Sequence, residues 1–423
     1  MAAPKENLVA LDGLRFGLAI YLVLFHTFKN YPEIESIPWL HSLLSLGFFS
    51  TSAFFVLSGF LLTHVYLGRK QQAIAKRDFF IKRLTSLYPI HIFALVLAIP
   101  LAMTASGNLG SVMVDHNVNG WSSIAPDTTA YALSFQGLLA NIGLNLTLLQ
   151  AWNPCYTLFN QPAWSLSALL FFYICFPYMA PRLNATRRPT LLLVAVCTLY
   201  ALPAFYMFFS NTVTPMAHGL MHRNPIIRLP EFLSGILLYT LYRARPAWLS
   251  TLLSPNGKRA TTVFIVACFV ATALLYRFVG GQWYYLAHNG LLLPSQLALV
   301  LLCADANWQL GTTARQWLSR LGVASLSIFA LHIPLQMVAS KAEKVLYAGW
   351  EVMTTSAPIS ELAQIAMSAD RSIWMYPMYM GVLLISCILF QEKVVTRTRD
   401  MLRARLLPRK QRKSAYPHHA DYK

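Results

Sequence analysis

The chain has 423 residues, 56% of them hydrophobic and only 12% charged, with a mean hydropathy of +0.48. A soluble globular domain carries about 25% charged residues, so this composition excludes an ordinary soluble enzyme and points to a membrane. The net charge of +18 does not point to nucleic acid, because no Lys or Arg lies between Arg83 and Arg182 whereas Lys393 to Lys413 holds nine; clustering of this kind beside apolar runs follows the positive-inside rule.

Apolar runs recur along nearly the whole length, each able to cross a hydrocarbon core of ~30 Å as a helix that satisfies its own backbone. In chain order they predict spans near 8–28, 43–67, 84–104, 162–181, 190–210, 226–243, 261–279, 285–304, 321–340 and 373–392. A further apolar stretch, 133–151, is ambiguous. Placing the basic segments 68–83, 182–188, 243–259, 315–320 and the tail on the cytoplasmic side leaves it no room to cross. It is expected to be re-entrant or to lie along the outer interface. The expected fold is therefore all-α: a polytopic transmembrane helical bundle of about ten spans, membrane-embedded over 1–392, with a basic cytoplasmic tail over 393–423 and both termini cytoplasmic. Tail cations can also touch anionic head groups.

The expected outer loops 105–162 and 341–372 are long, polar and rich in turn formers, Gly349 and Pro358 among them. Trp121, Trp152 and Trp350 fall in them; they can stack on sugar rings, or simply sit at the membrane interface as Trp often does. Six cysteines are scattered without a C-x-x-C pair, so no disulfide framework and no metal site is legible. No internal repeat of the kind many transporters carry is visible.

Ionisable residues inside spans are costly and so read as functional candidates. Arg15 and His26 in the first span are eleven positions apart; in an unbroken α-helix that returns to within about 20° of one face, ~16 Å along the axis. Both are expected to look into one cavity, with Asp12 able to pair with Arg15. Arg15 can instead snorkel to the head groups, and His26 can bond a neighbouring helix, relay protons, take a proton from a hydroxyl or carry an acyl group. The residues alone indicate a functional cavity, not a reaction. Other candidates have plain structural readings too. Lys82 and Arg83 in FFIKRLTSLYP can anchor a span entrance, Arg228 and Glu231 can form a local ion pair, and His332 before Pro334 can bond another helix. Trp164 with Ser165 and Ser167 makes a polar aromatic notch, though hydroxyls in such helices usually bond a neighbouring backbone.

Taken in order, these segments resemble the acyltransferase 3 family of integral membrane proteins, from Leu11 to about Glu392. LDGLRFGLAIYLVLFH is similar to that family's first helix with its Arg-x10-His motif, here Arg15 and His26. FFSTSAFFVLSGFLLT resembles its second helix, with Phe55, Ser58 and Gly59 in place, and FFIKRLTSLYP the entrance to its third. AWSLSALLFFYICFP, RLPEFLSGILL and SLSIFALHIP resemble its Trp-Ser-Leu-Ser segment, its Arg/Glu helix and its late histidine. Two positions depart from the pattern: Ser86 stands where the third-helix entrance usually continues to a second Arg, and Ala168, Leu169 and Leu170 follow Trp-Ser-Leu-Ser where many members carry a Glu.

The resemblance implies transfer of an acyl group, usually acetyl from cytoplasmic acetyl-CoA, to a hydroxyl of a carbohydrate or lipid-linked glycan, in a bacterial inner membrane. It implies His26 as base or acyl carrier, and Arg15, Lys82 and Arg83 as holders of the CoA phosphates. Ser58, Trp164, Ser165, Ser167, Arg228, Glu231 and His332 are the implied substrate-binding residues. The competing reading is a transporter or flippase of a glycan or lipid intermediate, which also needs a polar cavity in a bundle but would be expected to show repeats or broken helices with coupling carboxylates.

Overall fold

The computed structural model describes residues 9–68, 74–106, 111–115, 128–210, 214–278, 282–355 and 358–408. Trp121 and residues 409–423 of the expected tail lie outside the described residues. The principal helices are α1 (Val9–Val23), α2 (Phe48–Leu67), α3 (Lys76–Ser106), α4 (Phe135–Leu146), α5 (Trp164–Asn184), α6 (Pro189–Ser210) and α7 (Pro215–Arg223). After them come α8 (Pro225–Ala244), α9 (Pro255–Phe278), α10 (Leu293–Ala304), α11 (Thr312–Thr355), α12 (Tyr376–Leu389) and α13 (Thr396–Leu406). One short antiparallel ribbon, Ser111–Asp115 with Thr128–Ala132, interrupts an otherwise all-α chain.

Among the described residues nine helices are long and apolar enough to cross a membrane. The tenth expected span is α8, whose 20 residues include Arg228, Glu231 and Arg243. Its lower apolarity has a packing reason. Every residue from Phe232 to Leu241 is buried, and α2, α5 and α6 surround the helix, so it faces protein rather than lipid. The contact with α2 is made by reciprocal glycines. A Cβ on Gly59 would fall 2.1 Å from the Phe232 carbonyl oxygen, and one on Gly235 would fall 2.0 Å from that of Val56. Small residues let two backbones approach this closely, and dispersion between them replaces the hydrophobic drive that lipid does not supply.

The stretch 133–151 does not cross. Its helix, α4, has 12 residues, about 18 Å at 1.5 Å per residue, and is followed by a turn with Leu148 at φ 57°. It docks on two spans: His91 and Tyr88 of α3 reach the carbonyls of Asn145 and Leu146 at 2.7 and 2.9 Å, and Ser167 of α5 that of Leu148 at 2.5 Å.

The structure corrects one expectation at the chain's later elements. The loop expected over 341–372 is largely helical, because α11 continues for 44 residues to Thr355 with Gly349 inside it, and a short helix, Leu362–Ser368, follows. Pro358 does stand beyond the helix end, where a residue lacking N–H is tolerated. Across the expected tail boundary at 392 the chain stays helical: α12 passes through a π-helical segment, Phe390–Val395, directly into α13.

Cations collect at one end of the bundle and tie its segments together. Asp305 takes Arg245 at 2.5 Å and Lys258 at 2.6 Å, and Arg320 meets Glu392 at 2.7 Å. Gly13 near the start of α1 lies against Trp308 and Leu318, and Arg403 of α13 reaches the Lys82 carbonyl at 2.9 Å. The first and last described helices therefore sit at this same end, the basic end.

Candidate functional site

At the opposite end of α1 the helix widens. Leu24–Phe28 is π-helical, so the even 100° step that places His26 above Arg15 stops at Val23. Such one-turn bulges recur at functional sites because they re-aim a side chain without ending the helix. Here His26 meets α11: its Nδ1 lies 2.9 Å from Nε2 of His332, with the rings stacked 5.0 Å apart. His332 is fully buried, and its Nδ1–H donates to the Phe329 carbonyl at 2.7 Å. With both rings neutral, His332 Nε2 must accept, so His26 donates from Nδ1 and keeps a lone pair on Nε2.

The surroundings hold this pair in place. Pro334 has no N–H for the Ala330 carbonyl four residues earlier, and Asn160 Nδ2 donates to that carbonyl instead at 2.8 Å. Tyr379 donates to the His332 carbonyl at 2.9 Å, and Thr27 bonds Tyr376 at 2.8 Å. Proline thus frees a carbonyl of α11 beside the histidine, and Asn160 fills the vacancy.

Arg15 stands nearer the basic end, with a side chain 21% exposed and 3.4 Å from Asp12. Asp12 abuts Gly322 of α11. His26 therefore meets α11 directly and Arg15 meets it through Asp12, without the two touching each other. Lys82 and Arg83 are also at the basic end, where Arg83 bonds the Tyr66 hydroxyl at 3.1 Å and its guanidinium lies 5.1 Å from that ring.

A second buried polar cluster lies on the other side of α2, at the same end as His26. Arg228 and Glu231 of α8 are both 0% exposed and meet at 3.0 Å; the contact is ionic rather than an aligned hydrogen bond, as neither Arg228 Nε nor Glu231 Oε2 has a hydrogen-bond partner. Arg228 donates to Ser52 at 2.8 Å and lies 2.9 Å from His288 Nδ1, and Tyr200 donates to Glu231 at 2.5 Å. Its guanidinium is 5.7 Å from the Phe55 ring and 5.8 Å from Trp164. His288 belongs to a break in the helix before α10, where Asn289 and Gly290 leave helical geometry. Asn289 Nδ2 donates to the Met221 carbonyl at 2.9 Å, and His222 of α7 lies 2.9 Å from His288. His222 also faces Trp164 at 4.9 Å and stacks on His218 at 5.5 Å. Helix α7 lies between spans. Burial, then Arg223, pushes the His218 imidazole down to about 4, and burial, then His288, holds His222 well below the usual histidine range.

The sequence-predicted residues thus divide into three places. His26 and His332 form one contact, and Arg228, Glu231 and Trp164 form another. Arg15, Lys82 and Arg83 stand at the basic end. Ser165 and Ser167 are buried and bond the carbonyls of Pro162 and Leu148 at 2.9 and 2.5 Å, the backbone-bonding role expected of hydroxyls in such helices. Ser58 is half-buried on α2 beside the glycine contact. Trp152 stands edge-on to Phe171, and Trp350 is exposed on α11. Sequence reasoning missed His218, His222, His288 and Tyr200. A histidine four residues before another on α7, and an Asn-Gly pair inside an apolar run, are the signals available for them.

The profile of the acyltransferase 3 family, described as an acyltransferase domain, matches residues 8–392. Acyltransferase MdmB of Streptomyces mycarofaciens is 28% identical over 179 residues, 40% of this chain and 38% of that protein. Protein 2 in the picA locus of Rhizobium radiobacter is 28% identical over 165 residues, 38% of this chain and 79% of that one. The peptidoglycan O-acetyltransferase OatA of Listeria monocytogenes is 22% identical over 373 residues, 85% of this chain but 51% of the relative. The chain therefore spans about half or less of two of these three relatives. No solved structure matches significantly.

Proposed function

Because the chain belongs to the acyltransferase 3 family of integral membrane proteins, we propose that it moves an acetyl group from cytoplasmic acetyl-CoA to a hydroxyl of a surface or secreted glycan. The observation that carries this reading is the His26–His332 contact, which fixes a basic nitrogen at the far end of a seam that begins among cations. Arg15, Lys82 and Arg83 hold the donor's phosphates at the basic end. The pantetheine arm runs the ~16 Å that separates residues 15 and 26 along a helix and brings the thioester to His26.

There His26 Nε2 takes the proton of the acceptor hydroxyl as its oxygen attacks the thioester carbonyl. The new C–O bond replaces the C–S bond, and the proton passes from the imidazolium to the leaving thiolate. While His26 carries it, His332 shares the charge through the Nδ1–Nε2 contact. Trp164, Arg228, Glu231 and Ser58 are assigned to the acceptor; Ser165 and Ser167 support it through the backbone they bond. The similarity to OatA, a peptidoglycan O-acetyltransferase, supports a glycan hydroxyl as acceptor. The broken helix at Asn289 and Gly290 beside a buried ion pair favours a second reading, a transporter, since interrupted helices often line transport sites.

The basic end is assigned to the cytoplasm by the positive-inside rule. In sealed inside-out bacterial membrane vesicles, labelled acetyl-CoA added to the bath is expected to be consumed. In sealed right-side-out vesicles it is expected to be consumed only after lysis. The opposite pattern would overturn the assigned orientation.

A further inference from the structure

Helix α13 follows the last span, yet one of its side chains is built into the entrance of α3. Arg403 Nη2 donates to the Lys82 carbonyl and to Ser86 Oγ, both at 2.9 Å, and its Nε lies 3.3 Å from Thr85 Oγ1. Positions 82, 83 and 86 share one face of α3, being three and four residues apart. Ser86 is uncharged, and the Arg403 guanidinium sits at its hydroxyl. Three cations from two helices therefore converge on one turn of α3: Lys82, Arg83 and Arg403. Asp78 acts on Lys82, and Asp400, bonded to Arg399 at 2.9 Å, acts on Arg403. Bringing like charges together in a partly buried place costs free energy unless an anion joins them.

We propose that Arg403 is a donor-binding residue, completing with Lys82 and Arg83 a phosphate site for the nucleotide part of acyl-CoA. The inference rests on the donor assignment made above. The ligand chemistry is a phosphate group, which a lipid head group also carries, and the test separates the two.

Binding of CoA to the purified full-length protein in zwitterionic nanodiscs is the measurement. Arg403→Gln keeps a side-chain N–H donor, of shorter reach, and removes the charge. It is expected to weaken CoA binding about ten- to hundred-fold, as loss of one charge-assisted phosphate contact does, with little change in melting temperature. Adding Ser86→Arg to Arg403→Gln restores a guanidinium to the same face and is expected to recover most of the affinity. If Arg403→Gln binds CoA within two-fold of the parent while Arg83→Ala does not, the role given to Arg403 is wrong and the donor assignment stands. If Arg403→Gln instead loses phosphatidylglycerol and keeps CoA, the residue serves lipid and the proposal falls. A parental protein that binds no CoA at all overturns both.

Discussion

Replacing His26 with alanine is expected to lower acyl turnover by about 10² to 10⁴-fold, the usual contribution of a positioned general base, while the protein still folds and binds donor. The side chain is one of a two-ring chain ending on the Phe329 carbonyl, so its partner should matter in a graded way. His332→Gln offers a carbonyl to accept from His26 Nδ1 and should keep more activity than His332→Ala, which leaves that N–H without its partner. Both changes should act on kcat rather than on the donor concentration needed. Arg15→Lys should do the reverse, since it preserves charge but not bidentate geometry at the phosphates. Parental turnover in well-folded, donor-saturated His26→Ala protein would sink the assignment.

The second large effect is on stability. Arg228 and Glu231 are fully enclosed, and each compensates the other's charge. Removing one partner of a buried pair costs about 3–5 kcal/mol, because the survivor is left uncompensated. Arg228→Met is therefore expected to lower the melting temperature of the purified protein sharply. Arg228→Met combined with Glu231→Leu should recover much of the loss, since an apolar pair of similar volume can fill a buried site about as well as the ions. Equal stability of Arg228→Met and the parent would mean that this pair does not hold charge in the folded protein. A stable but inactive double variant would assign the pair to acceptor binding rather than to architecture.

Much of this was legible in the sequence because lipid imposes a simple rule: a spanning helix must be long and apolar. The runs at 190–210 and 261–279 obey it and became α6 and α9. The absence of Lys and Arg after Arg83 correctly left 133–151 without a crossing. Where protein rather than lipid surrounds a segment, the rule weakens, as in α8, which is less apolar because it is central. Periodicity also assumed an unbroken helix, and the π-helical turn at Leu24–Phe28 breaks that assumption at His26 itself.

The contacts that define the site are a different matter. His26 and His332 are 306 residues apart in sequence, and Arg403 and Ser86 are 317 apart. Each was visible as a residue type, but nothing in one sequence joins them. The histidines on α7 and before α10 were harder still, since their meaning depends on a helix break and a short helix between spans.

Acyl transfer is measured most directly by following the label rather than the protein. Purified protein in nanodiscs would be given acetyl-CoA labelled in the acetyl group, together with peptidoglycan fragments or a short surface glycan. Free CoA thiol is expected to appear in step with labelled, alkali-labile ester on the sugar, and His26→Ala is expected to produce neither. Labelled donor that stays intact across the glycans tried, with the same protein carrying unmodified glycan across a sealed bilayer, would contradict acyl transfer and establish the transporter reading in its place.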